Sequence, residues 1–175
     1  MGKSWEKFPV LQTLATLAFD YPRRAAFFRQ ELEHFLLLTH EGALHPTKTL
    51  GSYAGAMGLP QFMPSSYRRY AIDFSGTGKR DLIHDTADVI GSIANYLTEN
   101  GWKPNARIAY PTTMNGNTKD SKEKLIVLSG PNDTKEYWIG TQNFKTIMRY
   151  NNSVHYAMAV FQLSEGIRAL KKNRG

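Results

Sequence analysis

The segment from Gly51 to Gly78, GSYAGAMGLPQFMPSSYRRYAIDFSGTG, limits what this chain can become more than any other. Glycines at 51, 55, 58, 76 and 78 are interleaved with Pro60 and Pro64 and with Tyr53, Phe62, Tyr67, Tyr70 and Phe74. Glycine admits positive φ and close backbone approach, both of which a side chain forbids. Clusters of glycine and proline mark turns and loops, so the segment reads as a folded loop leading into a short helix. Between the glycines lie Ser52, Tyr53, Met57, Gln61, Ser65 and Ser66. Exposed backbone, a few fixed polar groups and flat aromatic faces together suit a carbohydrate, whose hydroxyls need partners and whose ring faces need apolar surface.

Around this segment the periodicity is mostly helical. Pro9 suits a first helical position, and Val10, Leu14, Leu17 and Ala18 recur at helical spacing up to Asp20-Tyr21-Pro22. From Arg23 to about His40, Phe27, Phe28, Leu32, Phe35 and Leu36 predict a long amphipathic helix. Ser65 or Ser66 is expected to open a helix through Tyr70. Asp85 or Thr86 is expected to cap the next, with Val89, Ile90, Ile93, Ala94 and Leu97 on its apolar side and Asn100-Gly101 as its stop. Residues 103–123 are polar, with a turn at Asn115-Gly116-Asn117. Lys124–Leu128 and Glu136–Ile139 read as strands joined around Gly130-Pro131-Asn132. Ser153 is expected to cap a last helix with Tyr156, Ala159, Val160 and Leu163 turned inward. The fold class is therefore α+β, mainly helical, with a short β insertion.

At 175 residues and 41% hydrophobic content the chain can bury a core. Its net charge of +7 favours anionic polymers such as nucleic acid, acidic lipid or peptidoglycan with its peptide carboxylates. The basic residues are dispersed, apart from Arg23-Arg24, Arg68-Arg69 and Lys171-Lys172, which argues against nucleic acid. Cysteine is absent, excluding disulfides and thiolate chemistry. There is no apolar leader and no membrane-length apolar run, so any export signal is expected to lie outside these residues. His34, His40, His45, His84 and His155 are scattered and present no metal-ligand spacing.

The order of motifs adds a resemblance. AGAMGLPQFMPSSY, then DFSGTG, then NYLTENGW resembles the B-type membrane-bound lytic murein transglycosylases of Gram-negative bacteria. LATLAFDYPRRAAFF at 14–28, LSGP…EYWIGTQNF over 128–144 and YNNSVHYAMAV at 150–160 follow in that family's order. The resemblance runs from about Phe8 to about Leu170. It implies a lysozyme-like transglycosylase domain over residues 8–172, with 103–140 as a polar and β insertion and 1–7 divergent. It also implies a place in the periplasm or cell envelope and glycan strands of peptidoglycan as the partner. Neither nucleic acid nor a membrane span is expected, and no oligomeric state is implied.

The implied reaction cleaves the β-1,4 bond between N-acetylmuramic acid and N-acetylglucosamine and forms a 1,6-anhydro ring. One carboxylic acid protonates the leaving oxygen and, as carboxylate, then takes the proton of the muramyl C6 hydroxyl; this role needs a carboxyl raised in pKa. In the family that glutamate lies just before the segment matching Phe8, in a Gly-Val-Glu-Thr-like motif absent from residues 1–175. The expectation is a chain without its catalytic acid, weakly active or inactive, and the alternative function is a non-catalytic peptidoglycan-binding module. Among the acids present, Glu31 and Glu33 are expected to be solvated, and Glu41, in a loop before Gly42, is the one weak catalytic candidate. The resemblance places Ser52, Gln61 and Tyr96 on one side of a saccharide groove and Tyr150, Asn151 and Tyr156 on the other. Asp73, Ser75, Thr77 and Lys79, with Asp88 as distal ligand, resemble a calcium loop of some members. Thr77 stands where an aspartate would supply charge, and Lys79 and Arg80 oppose a cation, so weak or no calcium binding and no required cofactor are expected.

Overall fold

The computed structural model describes residues 7–114 and 123–173, and the turn expected at 115–117 lies outside them. Strand β1 (Phe8–Pro9) runs straight into helix α1 (Val10–Phe19), so Pro9 precedes the helix instead of occupying its first turn. Val10, Leu14 and Ala18, four apart, are fully buried. A 3₁₀ turn at Pro22–Arg24 reverses the chain into α2 (Ala25–His40), two residues later than expected. Arg29 Nε donates to the Ala18 carbonyl at 3.1 Å, satisfying an end of α1 that has no later helical partner. On α2 the buried residues are Phe28, Glu31, Phe35 and Leu38, whereas Leu36 is exposed.

Strand β2 (Leu50–Gly51) pairs antiparallel with β1 and delivers the glycine loop, which leads to α3 (Pro64–Tyr70). Helix α4 (Thr86–Glu99) begins after Asp85, whose Oδ1 accepts from the N–H groups of Ala87 and Asp88. Its buried residues include Val89, Ser92 and Tyr96, but also Asp88, while Ile90 and Ala94, expected inside, are exposed. Ser92 explains part of that rotation: its hydroxyl oxygen accepts the Ile72 N–H at 3.0 Å, and Asn95 donates to the Tyr70 carbonyl at 3.0 Å.

Two compact units divide between Tyr96 and Leu97. In the second, β3 (Ala109–Thr112), β4 (Lys124–Ser129) and β5 (Lys135–Gly140) form an antiparallel sheet in the order β3-β5-β4. Strand β3 and helix α5 (Gln142–Tyr150) were not expected from the sequence; β4, β5 and the Ser153 cap of α6 (Val154–Lys172) were. The core of this unit gathers Ala109, Ile126, Phe144, Ile147, Ala157 and Met158. Tyr156, Ala159 and Leu163 of α6 face outward, against expectation, because Ala157 and Met158 occupy the buried side.

Candidate functional site

The glycine loop is folded by its own backbone. Ser52 N–H donates to the Ala56 carbonyl at 2.8 Å, and Met57 and Phe62 exchange both main-chain hydrogen bonds at 2.8 and 3.0 Å. Gly58 has φ +67°, and a Cβ there would stand 2.5 Å from the Leu82 carbonyl oxygen. Gly51 is equally pinned, its notional Cβ 2.5 Å from the Ala56 carbonyl oxygen. Gln61 is held in the left-handed region at φ 52°, a conformation that costs a non-glycine residue about 1–2 kcal/mol.

That backbone fixes what two side chains offer. The Ser52 hydroxyl oxygen accepts from Ala54 N–H at 3.2 Å and Ala56 N–H at 3.1 Å, which leaves its proton to donate. Gln61 Nε2 donates to the Gly58 carbonyl at 3.0 Å, orienting the amide while Oε1 stays an acceptor. Phe62, next along, lies 5.7 Å from the ring of Tyr96. Tyr96 also meets Tyr70 edge-on at 4.7 Å and is buried, bordering a cavity of about 560 Å³ with His34, Ser65 and Arg68. Ser52 and Gln61 thus share one loop, which meets Tyr96 through Phe62, while the cavity that Tyr96 borders is lined by neither Ser52 nor Gln61.

In the second unit, Tyr150 ends α5, Asn151 is its exposed C-cap, and Tyr156 lies in the first turn of α6. Asn151 accepts at its carbonyl from Ser153 N–H at 2.7 Å, and the Ser153 hydroxyl oxygen accepts from Tyr156 N–H at 3.2 Å. The three share one corner. Partial burial raises the Tyr156 hydroxyl above its ordinary pKa, keeping it a neutral donor at physiological pH.

The acids behave differently from the expectation. Glu33 is exposed, but Glu31 is buried, its carboxylate accepting from Ser65 N–H at 2.9 Å and from the Ser65 hydroxyl at 2.7 Å. Its position three after Phe28 and four before Phe35 was the available signal, since that spacing shares a helix face. Glu31 does for α3 what Ser65 or Ser66 was expected to do. Glu41 is the C-cap of α2 and pairs with Arg68 at 2.8 Å. It borders a cavity of about 480 Å³ lined neither by Ser52 nor by Gln61.

The loop at Asp73–Lys79 is closed by carboxylates that accept N–H groups. Asp73 Oδ1 accepts from Thr77 N–H at 3.0 Å and Oδ2 from Gly78 N–H at 2.7 Å. Fully buried Asp88 accepts at Oδ1 from Phe74 N–H and from the N–H and hydroxyl of Ser75, and at Oδ2 from Asp81 N–H, all between 2.9 and 3.0 Å. The N–H of Asp81, then that of Ser75, hold the Asp88 carboxyl below its ordinary pKa despite burial. Thr77 Oγ1 donates to the Lys79 carbonyl at 3.2 Å. Calcium takes six to eight oxygens, most of the charge coming from carboxylates. Against that, the donor set fits poorly: of the five candidate positions only Asp73 and Asp88 bring a carboxylate, and both already accept N–H groups. Among the described residues, no group of three or more His, Asp or Glu is placed to hold a metal ion. No described helix is long and apolar enough to cross a membrane.

Comparison with known proteins follows this geometry. The family described as Transglycosylase SLT domain matches residues 1–126 and 112–165. Membrane-bound lytic murein transglycosylase B of Escherichia coli (strain K12) is 42% identical over 191 residues, covering 95% of this chain and 53% of that protein. The crystal structure of soluble lytic transglycosylase SltB1 from Pseudomonas aeruginosa superposes with a TM-score of 0.88 at 39% identity, over 95% of this chain and 65% of that one. The Escherichia coli lytic transglycosylase Slt35, solved in complex with calcium, gives a TM-score of 0.82 at 39% identity, over 94% of this chain and 61% of that one. The chain spans about half the length of the curated relative it matches. With a family match over most of its length and an α+β fold shared with solved transglycosylases, the chain belongs to the transglycosylase SLT domain family.

Proposed function

We propose that this chain binds glycan strands of peptidoglycan in the cell envelope, on the periplasmic side. There it serves cleavage of the β-1,4 bond between N-acetylmuramic acid and N-acetylglucosamine, with formation of the 1,6-anhydro product. The observation that carries the proposal is the Ser52–Phe62 loop. Its backbone leaves one hydroxyl donor at Ser52 and one amide acceptor at Gln61, the complement of an acetamido group's carbonyl and N–H. In the second unit, taken by itself, Tyr150 and Tyr156 offer faces and hydroxyl rims suited to sugar rings, and Asn151 an exposed amide; in the first, buried Tyr96 backs the loop through Phe62.

The reaction needs one carboxyl that gives a proton to the leaving oxygen and then removes one from the C6 hydroxyl. Of the acids weighed for that role, Glu31 is occupied by Ser65, Glu41 is paired with Arg68, and Glu33 and Glu99 are exposed. That observation favours a second reading, a peptidoglycan-binding module without its own general acid. For the loop at Asp73 we propose weak or no calcium binding and no required cofactor.

Incubation of the purified chain with murein sacculi tests both readings. Anhydro-muropeptides in the soluble fraction, found by mass spectrometry, establish the enzyme. Retention of the chain on sacculi without those products establishes the binding module. Absence of both product and retention rejects the proposal.

A further inference from the structure

One cavity of the second unit is lined by none of Tyr150, Asn151 and Tyr156. Its volume is about 730 Å³, within the range of small-molecule sites. Trp102, Tyr110, Trp138 and Phe161 bring half-buried aromatic surface to it, and Asn105 and Arg107 bring exposed polar groups. Trp138 and Phe161 meet edge to face at 5.9 Å, so the indole is braced from one side.

The rim is fixed in advance. Buried Asn143 holds the 103–106 turn with three hydrogen bonds. Its Oδ1 accepts Lys103 N–H at 2.7 Å, and its Nδ2 donates to the carbonyls of Lys103 and Ala106 at 2.8 and 3.1 Å. Thr141 Oγ1 donates to the Arg107 carbonyl at 2.5 Å, which anchors the main chain under that guanidinium. A rim held this way loses little freedom when a ligand arrives.

The charges are unevenly used. Arg168 pairs with Glu165 at 2.7 Å, and Glu136 accepts from the Trp138 indole at 3.2 Å. Arg107 lies 6.0 Å from the Tyr110 ring and has no carboxylate partner among the described residues. A guanidinium with no carboxylate partner among the described residues, beside aromatic faces, is suited to a planar carboxylate attached to a ring that can stack.

We propose that this cavity is a second binding site, taking a carboxylate-bearing amino sugar. The indole faces receive the pyranose, and Arg107 receives the carboxylate of the lactyl group or of a peptide attached to it. The inference rests on the peptidoglycan reading above, but it concerns a separate set of residues.

The test uses the full chain, with ¹⁵N labels read at the indole N–H groups of Trp102 and Trp138 and at the Gln61 side-chain amide. Three probes are titrated: N-acetylglucosaminyl-N-acetylmuramic acid, its tetrapeptide form, and chitotetraose, which lacks a carboxylate. The expected result is saturable shifts of both indoles with the muramyl probes, with chitotetraose at least about tenfold weaker. Arg107→Ala, at an exposed position outside the core, is expected to weaken the muramyl probes about tenfold, the scale of one charged hydrogen bond, with the Gln61 response unchanged. A response to the tetrapeptide form alone assigns the carboxylate to the peptide; a response to the peptide-free disaccharide alone assigns it to the lactyl group, whose carboxyl the tetrapeptide form holds as an amide; equal responses show that either carboxylate is accepted. Shifts at Gln61 with silent indoles overturn the second site and leave the peptidoglycan reading standing. Indole shifts equal for chitotetraose, or unchanged by Arg107→Ala, overturn the carboxylate assignment. No shift at either place overturns both.

Discussion

The carboxylate of Glu31 closes over the first turn of α3, receiving the main-chain N–H and the hydroxyl of Ser65, a residue 34 positions later in the chain. Helix starts leave N–H groups without partners, and an acid there gains from the helix dipole as well. Because Glu31 is buried, that tie also joins α2 to α3. Glu31→Ala is expected to cost about 1–2 kcal/mol, since it strands the half-buried donors of Ser65. Glu31→Gln, which keeps one acceptor, is expected to cost about 1 kcal/mol. Urea unfolding with an unchanged slope checks both.

Gln61 sets stability against binding. Its left-handed backbone is one that glycine takes freely, so Gln61→Gly is expected to hold or raise stability by up to about 1 kcal/mol. The same change removes the amide and is expected to lower retention on sacculi several-fold. Equal retention by the variant would remove Gln61 from the proposed groove.

Gly58→Ala works in the opposite sense. Positive φ combines with a Cβ driven against the Leu82 carbonyl, so a loss of at least about 2 kcal/mol is expected. Thermal unfolding reads this directly, and an Ala variant as stable as the parent would refute the described loop geometry.

Asp88 predicts the acid limit of the first unit. Its carboxyl is depressed when folded, so its contribution is present above the ordinary carboxylate pKa and is lost as pH falls through the lower, folded value. Asp88→Asn is therefore expected to be destabilised near neutrality, with the difference from the parent shrinking at acid pH below the ordinary carboxylate range. Melting temperatures across that range measure it, and a difference independent of pH would assign the effect to packing.

The loop at Asp73–Lys79 offers a gain-of-function check. Removing calcium with a chelator is expected to leave the melting temperature of the parent unchanged. Thr77→Asp adds the missing carboxylate and is expected to make the melting temperature rise with added calcium. A parent chain stabilised by micromolar calcium would reverse the reading of Asp73–Lys79.

The parts legible in the sequence are those set by local signals. Asp85 and Ser153 cap α4 and α6 as their residue types suggest, and β4 and β5 follow runs of β-forming residues. What escaped was set by distant partners. Helix α5 buries Asn143 and Thr146, which look like surface residues until Lys103, Ala106 and Asn100 supply their hydrogen bonds. Strand β3 contains Pro111, which breaks the pattern of a strand but is tolerated at a sheet edge. Glu31 and Asp88 were read as solvent or cation groups, yet each is a buried anchor for N–H groups. For the groove, the family motif supplied Ser52 and Gln61, but only the backbone distinguishes which of their polar atoms remain to be offered.

The strand order β3-β5-β4 has one more implication. The link from Thr113 to Glu123 joins the two outer strands, while every ladder hydrogen bond runs through the central one. Register on each side of β5 is therefore independent of that link's length. A longer or shorter link between the outer strands would leave the pairing of the sheet as it is.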